Sequence, residues 1–178
     1  MFRRYLAIGI VLLLAFGCTG IKPTSSKANS KFYETFYVGD DGLQYFIKPL
    51  EFTASKSEQI FMDFTFRYKR GVNSMATINF TQFSQVNLQQ IDSIEINSLA
   101  KSMLVKQVSH MFTEKEKDGV SSRFTFQIPL RDLNALFSDV NWSVAILGET
   151  FEQNYKPEDK SRKIMKGLKS QIFDLIQE

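Results

Sequence analysis

Cysteine and histidine are almost absent from this sequence: among 178 residues there is one of each, Cys18 and His110. A single cysteine can form no disulfide within the chain, so burial of apolar surface has to hold the fold together. His110 has no second histidine or cysteine nearby to share a metal ion, and we expect it to be a strand or surface residue with local hydrogen bonds. The sequence therefore predicts neither a metal site nor a Cys–His nucleophilic pair.

Motifs of known catalytic chemistry are missing as well. The sequence contains no Gly-x-Ser-x-Gly, no glycine-rich phosphate loop and no His-Glu-x-x-His. Asp40 and Asp41 stand between two glycines and are interpreted as a tight turn rather than a calcium site. Glu114, Glu116 and Asp118 alternate with lysines and are interpreted as a solvated hairpin tip. We predict no catalytic residue and no cofactor, although a carboxylate-based hydrolase stays open, because its two acids come from distant positions.

Neither sign of charge dominates the sequence. Lysine and arginine number 22 against 19 aspartates and glutamates, which gives a net charge of +3. Arg3 and Arg4 belong to the N-terminal segment, and without their two charges the net charge falls to +1. A near-neutral chain gives no reason to expect nucleic acid as a partner.

The one long apolar run extends from Leu6 to Phe16, is interrupted only by Gly9, and follows the basic start Met-Phe-Arg-Arg-Tyr. A membrane-spanning helix needs about 20 apolar residues, and this run is followed at once by a segment rich in Ser, Thr and Lys. A basic start, an apolar run of about a dozen residues and a small residue before a cleavage site are typical of a secretory signal peptide.

Residues 15–18, Ala-Phe-Gly-Cys, resemble the lipobox of bacterial lipoproteins. In that family the cysteine receives a diacylglyceryl group, and a peptidase then cuts before it. Gly17 fits the pattern, whereas the family usually has leucine at the position of Ala15 and a smaller residue than Phe16. The resemblance covers only residues 1–20.

This resemblance implies a signal peptide over residues 1–17 and acylation of Cys18, with palmitate as a fatty acid. The lipid bilayer is then a partner through acylated Cys18, in a membrane of the bacterial cell envelope. Thr19 and Gly20 follow the cysteine, instead of the aspartate that retains lipoproteins in the inner membrane of well-studied enterobacteria, so we expect the outer membrane. Periplasmic and surface orientations both stay open. The alternatives are an uncleaved anchor and an ordinary signal peptide beside a chance cysteine.

Residues 18–30 are expected to be a lipidated, flexible tether, which spans about 20 Å on average. We expect residues 31–178 to form a single β-rich domain, since neither an internal repeat nor a second domain is visible. A chain of about 160 residues buries roughly two thirds of its unfolded surface, which is enough for one stable core. Seventeen phenylalanines, six tyrosines and one tryptophan supply much of that apolar surface.

Apolar and polar residues alternate with period two in the body of the chain, which is typical of half-buried strands. The clearest alternation covers residues 60–68, 123–128 and 140–146, and the apolar faces carry Phe64, Phe126 and Trp142. Weaker strands are expected at Phe32–Val38, Leu43–Phe52, Ala76–Phe83, Ile91–Ile96 and Leu104–Phe112. The last of these segments also keeps helix spacing, so strand and helix both stay open there.

Turn signals separate these runs, at Gly39–Gly42, Lys69–Asn73 and Glu114–Gly119. Within the last, Asp118-Gly119 is a typical hairpin dipeptide. Short strands about ten residues apart, each with one apolar face, predict a mainly β fold, namely an antiparallel, immunoglobulin-like β-sandwich of seven to nine strands. Leu130–Phe137 is expected to be a short helical connection.

The chain ends with a helix pattern. Pro157 followed by two acids predicts a helix over about 157–176. Its apolar side is formed by Ile164, Leu168, Ile172, Leu175 and Ile176. The other side carries five lysines and arginines, and we expect the apolar side to cover the β domain rather than to insert into a membrane.

These observations predict a membrane-anchored envelope lipoprotein that acts as a non-catalytic binding or assembly module, with another envelope protein as the candidate partner. The first alternative is a carrier that holds an apolar ligand in a Phe-rich cavity, and the second is the carboxylate-based hydrolase. A closed pocket of at least ~300 Å³ favours the carrier. A solid core with an exposed apolar surface favours the binding module.

Overall fold

The computed structural model describes residues 31–85, 90–99 and 101–176. These residues form ten strands: β1 (Tyr33–Tyr37), β2 (Leu43–Ser55), β3 (Glu58–Tyr68), β4 (Met75–Ser84), β5 (Ser93–Asn97), β6 (Ser102–Val105), β7 (Ser109–Glu116), β8 (Gly119–Pro129), β9 (Ser143–Gly148) and β10 (Phe151–Pro157). They also form two α-helices, α1 (Leu130–Phe137) and α2 (Asp159–Leu168). A π-helical turn over Lys169–Phe173 continues α2, and a 3₁₀ turn over Gly39–Asp41 joins β1 to β2.

All ten strands pair antiparallel in one curled sheet, in the order β6-β5-β9-β10-β2-β3-β4-β8-β7, with β1 beside the first half of β2. β10 pairs with β9 over five register positions but with β2 over only two, Lys156 with Thr53 and Pro157 with Phe52. The edge strands β6 and β7 are joined by residues 106–108 alone. Because so short a connection spans at most about 15 Å, the sheet curls until its two edges lie near each other.

The prediction of a mainly β fold with a C-terminal helix is confirmed. The described residues contain ten strands, one more than the largest number predicted. We divide the sheet into two parts, one with β5, β6 and β9 and the other with β1–β4, β7 and β8. Strand β10 lies between these parts and pairs with both, so neighbouring strands are hydrogen-bonded along the whole order. The immunoglobulin-like sandwich is not confirmed by this arrangement and stays a prediction.

The predicted apolar faces of the central strands are confirmed, and they form the inner face of the sheet, which is turned toward the core. The buried side chains of this face are Ile60, Met62, Phe64 and Phe66 on β3, Ala76, Ile78 and Phe80 on β4, and Phe124, Phe126 and Ile128 on β8. The alternate residues lie on the opposite, outer face and are mostly half-buried. Strand pairing keeps this alternation in phase across the sheet, since Phe64 pairs with Ile78 and Ile78 with Phe126.

Within the segment Leu104–Phe112, the first two residues end β6, residues 106–108 form a connection, and the last four begin β7. β6 pairs with β5, whereas β7 pairs with β8 at the other edge of the sheet. One continuous strand was therefore the wrong prediction, because the chain crosses from one edge to the other within this segment.

Trp142 is fully buried just before β9, as predicted, and Val144 and Ile146 on the same side are buried with it. The predicted alternation over residues 140–146 places Ala145 opposite Trp142, on the polar side of the strand, but Ala145 is buried too. Both faces of β9 are therefore covered, which the alternation of a half-buried strand does not anticipate.

β10 was not predicted as a strand, although the aromatic residues Phe151 and Tyr155 lie at alternate positions and Glu152, Asn154 and Lys156 lie between and after them. It forms a hairpin with β9, and Tyr155 pairs with Val144. Pro157, predicted to open the C-terminal helix, is the last residue of β10. The helix begins at Asp159, two residues later than predicted.

The short helix α1 has the predicted bounds, and Leu130, Leu133, Leu136 and Phe137 are its buried residues. The apolar side predicted for the C-terminal helix is only partly correct. Leu168, Ile172 and Ile176 are buried as expected, but Leu175 is exposed, and the buried side also includes Met165 and Phe173.

The π-helical turn explains this difference. Asp174 N donates to Lys169 O at 2.8 Å, an i to i+5 bond that places one more residue in the turn. The extra residue brings Phe173 beside Ile172 in the core and turns Leu175 away from it.

The core lies between the inner face of the sheet and the two helices. Phe137 of α1 stacks on Phe173 with ring centroids 4.2 Å apart and meets Phe64 edge-on at 5.4 Å. Trp142 lies 4.6 Å from Phe52, so rings from β2, α1 and the C-terminal turn contact the same cluster. Burying such rings contributes roughly 1.5–3 kcal/mol each, and ring pairs add to that.

Candidate functional site

Cys18, the predicted lipidation site, lies outside the described residues, as do the predicted signal peptide and tether. The first described residue is Lys31, which precedes β1. The structure therefore places the point at which the tether would join the domain, and Lys48 N donates to Phe32 O at 3.0 Å there.

Asp40 and Asp41 lie in the 3₁₀ turn between β1 and β2, which confirms the turn interpretation. Val38 N donates to Gly42 O at 2.9 Å and closes this turn. Asp40 is exposed to solvent.

Glu114, Glu116 and Asp118 are exposed on β7 and on its hairpin connection to β8, which confirms the predicted hairpin tip. Lys117 and Asp118 form the two-residue connection, since Glu116 pairs with Gly119. Within residues 31–85, 90–99 and 101–176, no group of three His, Cys, Asp or Glu side chains is placed to hold a metal ion.

His110 is an exposed residue of β7 with local hydrogen bonding, as predicted. Its Nε2 lies 2.8 Å from Thr113 Oγ1, which in turn lies 3.1 Å from Ser122 Oγ. The ring also packs edge-on against Phe124 at 5.2 Å. Because Ser122 is buried, this chain of hydrogen bonds ties the edge strand β7 to β8 rather than presenting a nucleophile.

Asp63 lies on the outer face and was not singled out by the sequence. Its Oδ2 accepts from Arg123 Nη2 at 2.7 Å, and its Oδ1 accepts from Asn79 Nδ2 at 2.9 Å. Arg123 also donates to Thr81 Oγ1 at 2.9 Å. Both carboxylate oxygens are engaged, so this ladder joins β3, β4 and β8 on the outer face.

A buried polar pair lies on the inner side of the sheet, where Gln82 Nε2 donates to Tyr155 OH at 2.9 Å. Burial raises the pKa of the Tyr155 phenol to about 12, and the nearby Glu58 carboxylate adds to this effect, whereas the bond from Gln82 opposes it. Among the described residues, Gln82 Oε1 and Trp142 Nε1 are buried atoms with no hydrogen-bond partner. The phenol therefore stays neutral at physiological pH, and the pair links β4 to β10 by a hydrogen bond between neutral groups.

The phenylalanines that would line a carrier's cavity contact one another instead. Phe80 stacks on Phe124 with ring centroids 5.1 Å apart, and Phe66 lies 5.9 Å from Phe173. These rings pack against one another under the sheet.

A wide, open groove lies on the outer face where β3 turns into β4. This outer groove has a volume of about 530 Å³ and is lined by residues that include Gln44, Thr65, Arg67, Lys69, Val72 and Met75. Two of its lining residues are cations and, of the described residues that line it, none is a carboxylate. Arg67 Nε donates to Gln44 Oε1 at 2.8 Å, which holds this guanidinium along the groove.

A second, more apolar hollow of about 350 Å³ adjoins it on β1 and β2, and we name it the aromatic patch. Phe36 and Phe46 form its centre and meet edge-on with ring centroids 5.6 Å apart. Lys48 and Glu34 flank the rings, with Lys48 Nζ 3.9 Å from Glu34 Oε1. Both hollows are open to solvent and suit contact with a surface rather than enclosure of a small molecule.

The basic side of α2 is exposed at Lys160, Lys163 and Lys166, whereas its apolar side is buried. Arg162 bonds to Asp159 one turn earlier and holds the pKa of that carboxyl below its usual value. These placements agree with the expectation that α2 covers the β domain. No helix in the described part of the chain is both long and apolar enough to cross a membrane.

Comparisons of the chain with protein-family models, with curated proteins and with solved structures find no match.

Proposed function

We propose that this chain is a lipoprotein of the bacterial cell envelope, anchored by acylated Cys18 to the outer membrane, and that its domain is a non-catalytic binding or assembly module. The N-terminal basic start, the short apolar run and the Gly17-Cys18 junction support the anchor. The supporting observation for the module is the contrast between a ring-filled interior and open, partly apolar hollows on the outer face.

This contrast favours the module over the carrier. A carrier needs an enclosed space of at least ~300 Å³, whereas the two hollows described above are open to solvent. The aromatic side chains contribute packing energy in the core, and the exposed apolar ones lie where another molecule can reach them. The domain therefore binds through its surface, and another envelope protein or the membrane itself are the candidate partners.

We further propose that the two parts of the curled sheet face each other as in a β-sandwich of immunoglobulin type. The ring contact between Phe64 of β3 and Trp142 beside β9, with centroids 6.3 Å apart, supports this description, because two strands, β10 and β2, lie between β9 and β3 in the sheet. Superposition of an experimental structure on immunoglobulin domains would test it, and a core in which α1 and α2 separate the two parts throughout would contradict it.

The anchor is tested by growing bacteria that express the full chain with a radiolabelled fatty acid. The native chain should take up label and fractionate with membranes, since two acyl chains hold a protein stably on a bilayer. Cys18→Ser should lose the label and stay unprocessed, and Thr19→Ser, which keeps the cysteine, should behave like the native chain. Uptake of label by Cys18→Ser would show that the anchor is wrongly assigned.

The module is tested against the carrier with the Cys18→Ser chain, which carries no acyl group of its own. Solvent extraction of the purified protein and mass spectrometry of the extract should recover no apolar molecule in stoichiometric amount. Recovery of one such molecule per chain would favour the carrier and contradict the module.

A further inference from the structure

Three exposed apolar side chains lie at one end of the outer face. Phe46 is 42% exposed, and Val72 and Met75 are each 50% exposed. Phe46 belongs to β2, whereas Val72 and Met75 lie in and after the turn between β3 and β4. Side chains of this kind lose free energy when they leave water, so the cluster needs an explanation.

The aromatic patch and the outer groove form one continuous surface. Gln44 lines the groove and Phe46 lines the patch, and the two residues lie on the same face of β2. Phe46 also pairs with Thr65 of β3, which lines the groove. The apolar side chains therefore lie on one face, with Thr65 and Thr77 between Phe46 and Met75.

Cations surround these apolar side chains. Lys48, Arg67, Lys69 and Arg70 are exposed, the first beside the aromatic patch, where Glu34 lies 3.9 Å from it, and the others along the groove and its turn. Apolar groups interspersed with lysine and arginine are typical of surfaces that lie on anionic lipid, since the apolar groups enter the headgroup region while the cations stay at the phosphates.

The N-terminal end of the domain lies at the same surface. Phe32 O accepts from Lys48 N at 3.0 Å, only two residues from Phe46, so a tether over residues 18–30 joins the domain beside the aromatic patch. At roughly 3.3 Å per residue, the part of β2 from Phe46 back to Leu43 covers about 10 Å. Leu43 pairs with Tyr68, the last residue of β3, and the turn that carries Val72 begins after Tyr68. The predicted tether of about 20 Å is therefore long enough to let this surface lie on the bilayer that would hold Cys18.

We propose that this surface, which comprises Phe36, Phe46, Val72 and Met75 with their surrounding cations, lies against the anionic lipid bilayer to which Cys18 is attached. The inference rests on the proposed anchor and deepens it, because it gives the domain a fixed orientation on the membrane.

Two other exposed features fit an anionic bilayer less well. The apolar side of α2 is buried in the domain and cannot insert, although its outer side is basic. The edge strand β7 exposes Met111 and Phe112, but its two glutamates, Glu114 and Glu116, outnumber Lys115 on the same strand. This strand therefore has no excess of positive charge, whereas the proposed surface has four cations and one carboxylate, Glu34.

The orientation can be tested with the full, acylated chain in vesicles. Once Cys18 is acylated, an introduced cysteine is the only free thiol. Val72→Cys and, independently, Met75→Cys are labelled with an environment-sensitive fluorophore, and Leu99→Cys is the matched control, since Leu99 is an apolar residue that is 93% exposed at the β5–β6 turn. The proteins are reconstituted into phosphatidylglycerol–phosphatidylcholine vesicles that contain nitroxide-labelled lipid.

Fluorescence at positions 72 and 75 should shift to shorter wavelength and be quenched at least twofold more than at position 99. Vesicles of phosphatidylcholine alone, or the double substitution Lys69→Glu with Arg70→Glu, should lower this quenching toward the control, because each cation near an anionic surface contributes about fivefold to binding. Salt at 1 M should lower it as well.

Flotation of the vesicles distinguishes the two proposals. A chain that floats but shows equal quenching at positions 72, 75 and 99 overturns the orientation and leaves the anchor intact. A chain that does not float contradicts the anchor, and the orientation with it.

Discussion

Gln82 of β4 and Tyr155 of β10 meet across the interior, with 2.9 Å between Gln82 Nε2 and Tyr155 OH. Two strands, β2 and β3, separate β4 from β10 in the sheet. In a flat sheet three strand spacings would place their backbones about 14 Å apart. The hydrogen bond therefore depends on the curl of the sheet and stabilises it where β10 has only two register pairs with β2.

Tyr155→Phe should lower the free energy of unfolding by ~1–3 kcal/mol at neutral pH, because Gln82 is left with a second unpartnered polar atom in the core. Urea unfolding of the full chain measures this change. Tyr37→Phe is the matched control, since Tyr37 is exposed on β1, and it should change stability by less than about 0.5 kcal/mol. Equal effects of the two substitutions would show that the buried bond does not form in solution.

The pKa of Tyr155 makes the same bond sensitive to alkali. The folded protein keeps the phenol protonated up to about pH 12, whereas the unfolded chain loses this proton near pH 10. The unfolded state then binds fewer protons, so the free energy of unfolding falls between about pH 10 and 12, and the stability is fully present below pH 10. Burial also raises the pKa of Tyr45, so Tyr155→Phe should reduce this fall without abolishing it. An unchanged pH profile in Tyr155→Phe would contradict the assignment.

Local patterns predicted much of this fold, because alternation within a strand is a local property. The inner faces of β3 and β8 and the helix α1 were therefore placed correctly, and so were the turns at Gly39–Gly42 and Asp118. The curl of the sheet was not predictable in this way. It depends on contacts such as Gln82 with Tyr155, which are 73 residues apart in sequence.

The surface proposed to face the membrane was also invisible in the sequence. Phe46 and Val72 are ordinary apolar residues in their local windows, and only the pairing of β2 with β3 brings them to one face. A single sequence carries no signal for that pairing, since the register is set by the packing of the opposite face.

The inner face of the sheet is expected to carry most of the stability. Phe64→Ala and Phe126→Ala should each lower the free energy of unfolding by ~3–5 kcal/mol. Both rings are buried, and each substitution leaves a cavity that the neighbouring side chains fill only in part. Phe46→Ala, on the outer face, is the matched control and should cost less than about 1 kcal/mol. Losses below 1 kcal/mol for the two core substitutions would show that the other face is buried in solution.

The turn between β1 and β2 offers a paired test of backbone geometry. Gly39 and Gly42 both have positive φ, 65° and 87°. A Cβ at Gly39 would meet nothing within 4 Å, whereas one at Gly42 would lie 2.3 Å from Tyr68 O on β3. Gly39→Ala should therefore cost about 1–2 kcal/mol through conformation alone, and Gly42→Ala should cost at least about 1 kcal/mol more, because β2 and β3 must separate. Thermal unfolding of both variants measures the difference in stability. Equal losses of stability would show that Gly42 does not approach Tyr68 closely in solution.

The π-helical turn after α2 makes the sharpest distinction between the sequence pattern and the structure. A regular helix would place Leu175 on the buried side with Leu168 and Ile172, whereas the structure buries Phe173 against Phe137 and leaves Leu175 71% exposed. Phe173→Ala should therefore lower the free energy of unfolding by ~3–5 kcal/mol, and Leu175→Ala by less than about 0.5 kcal/mol. Urea unfolding of the two single variants measures both values in the same chain. The reverse order, with Leu175→Ala the more damaging, would mean that the helix continues regularly in solution and that Phe173 faces the solvent.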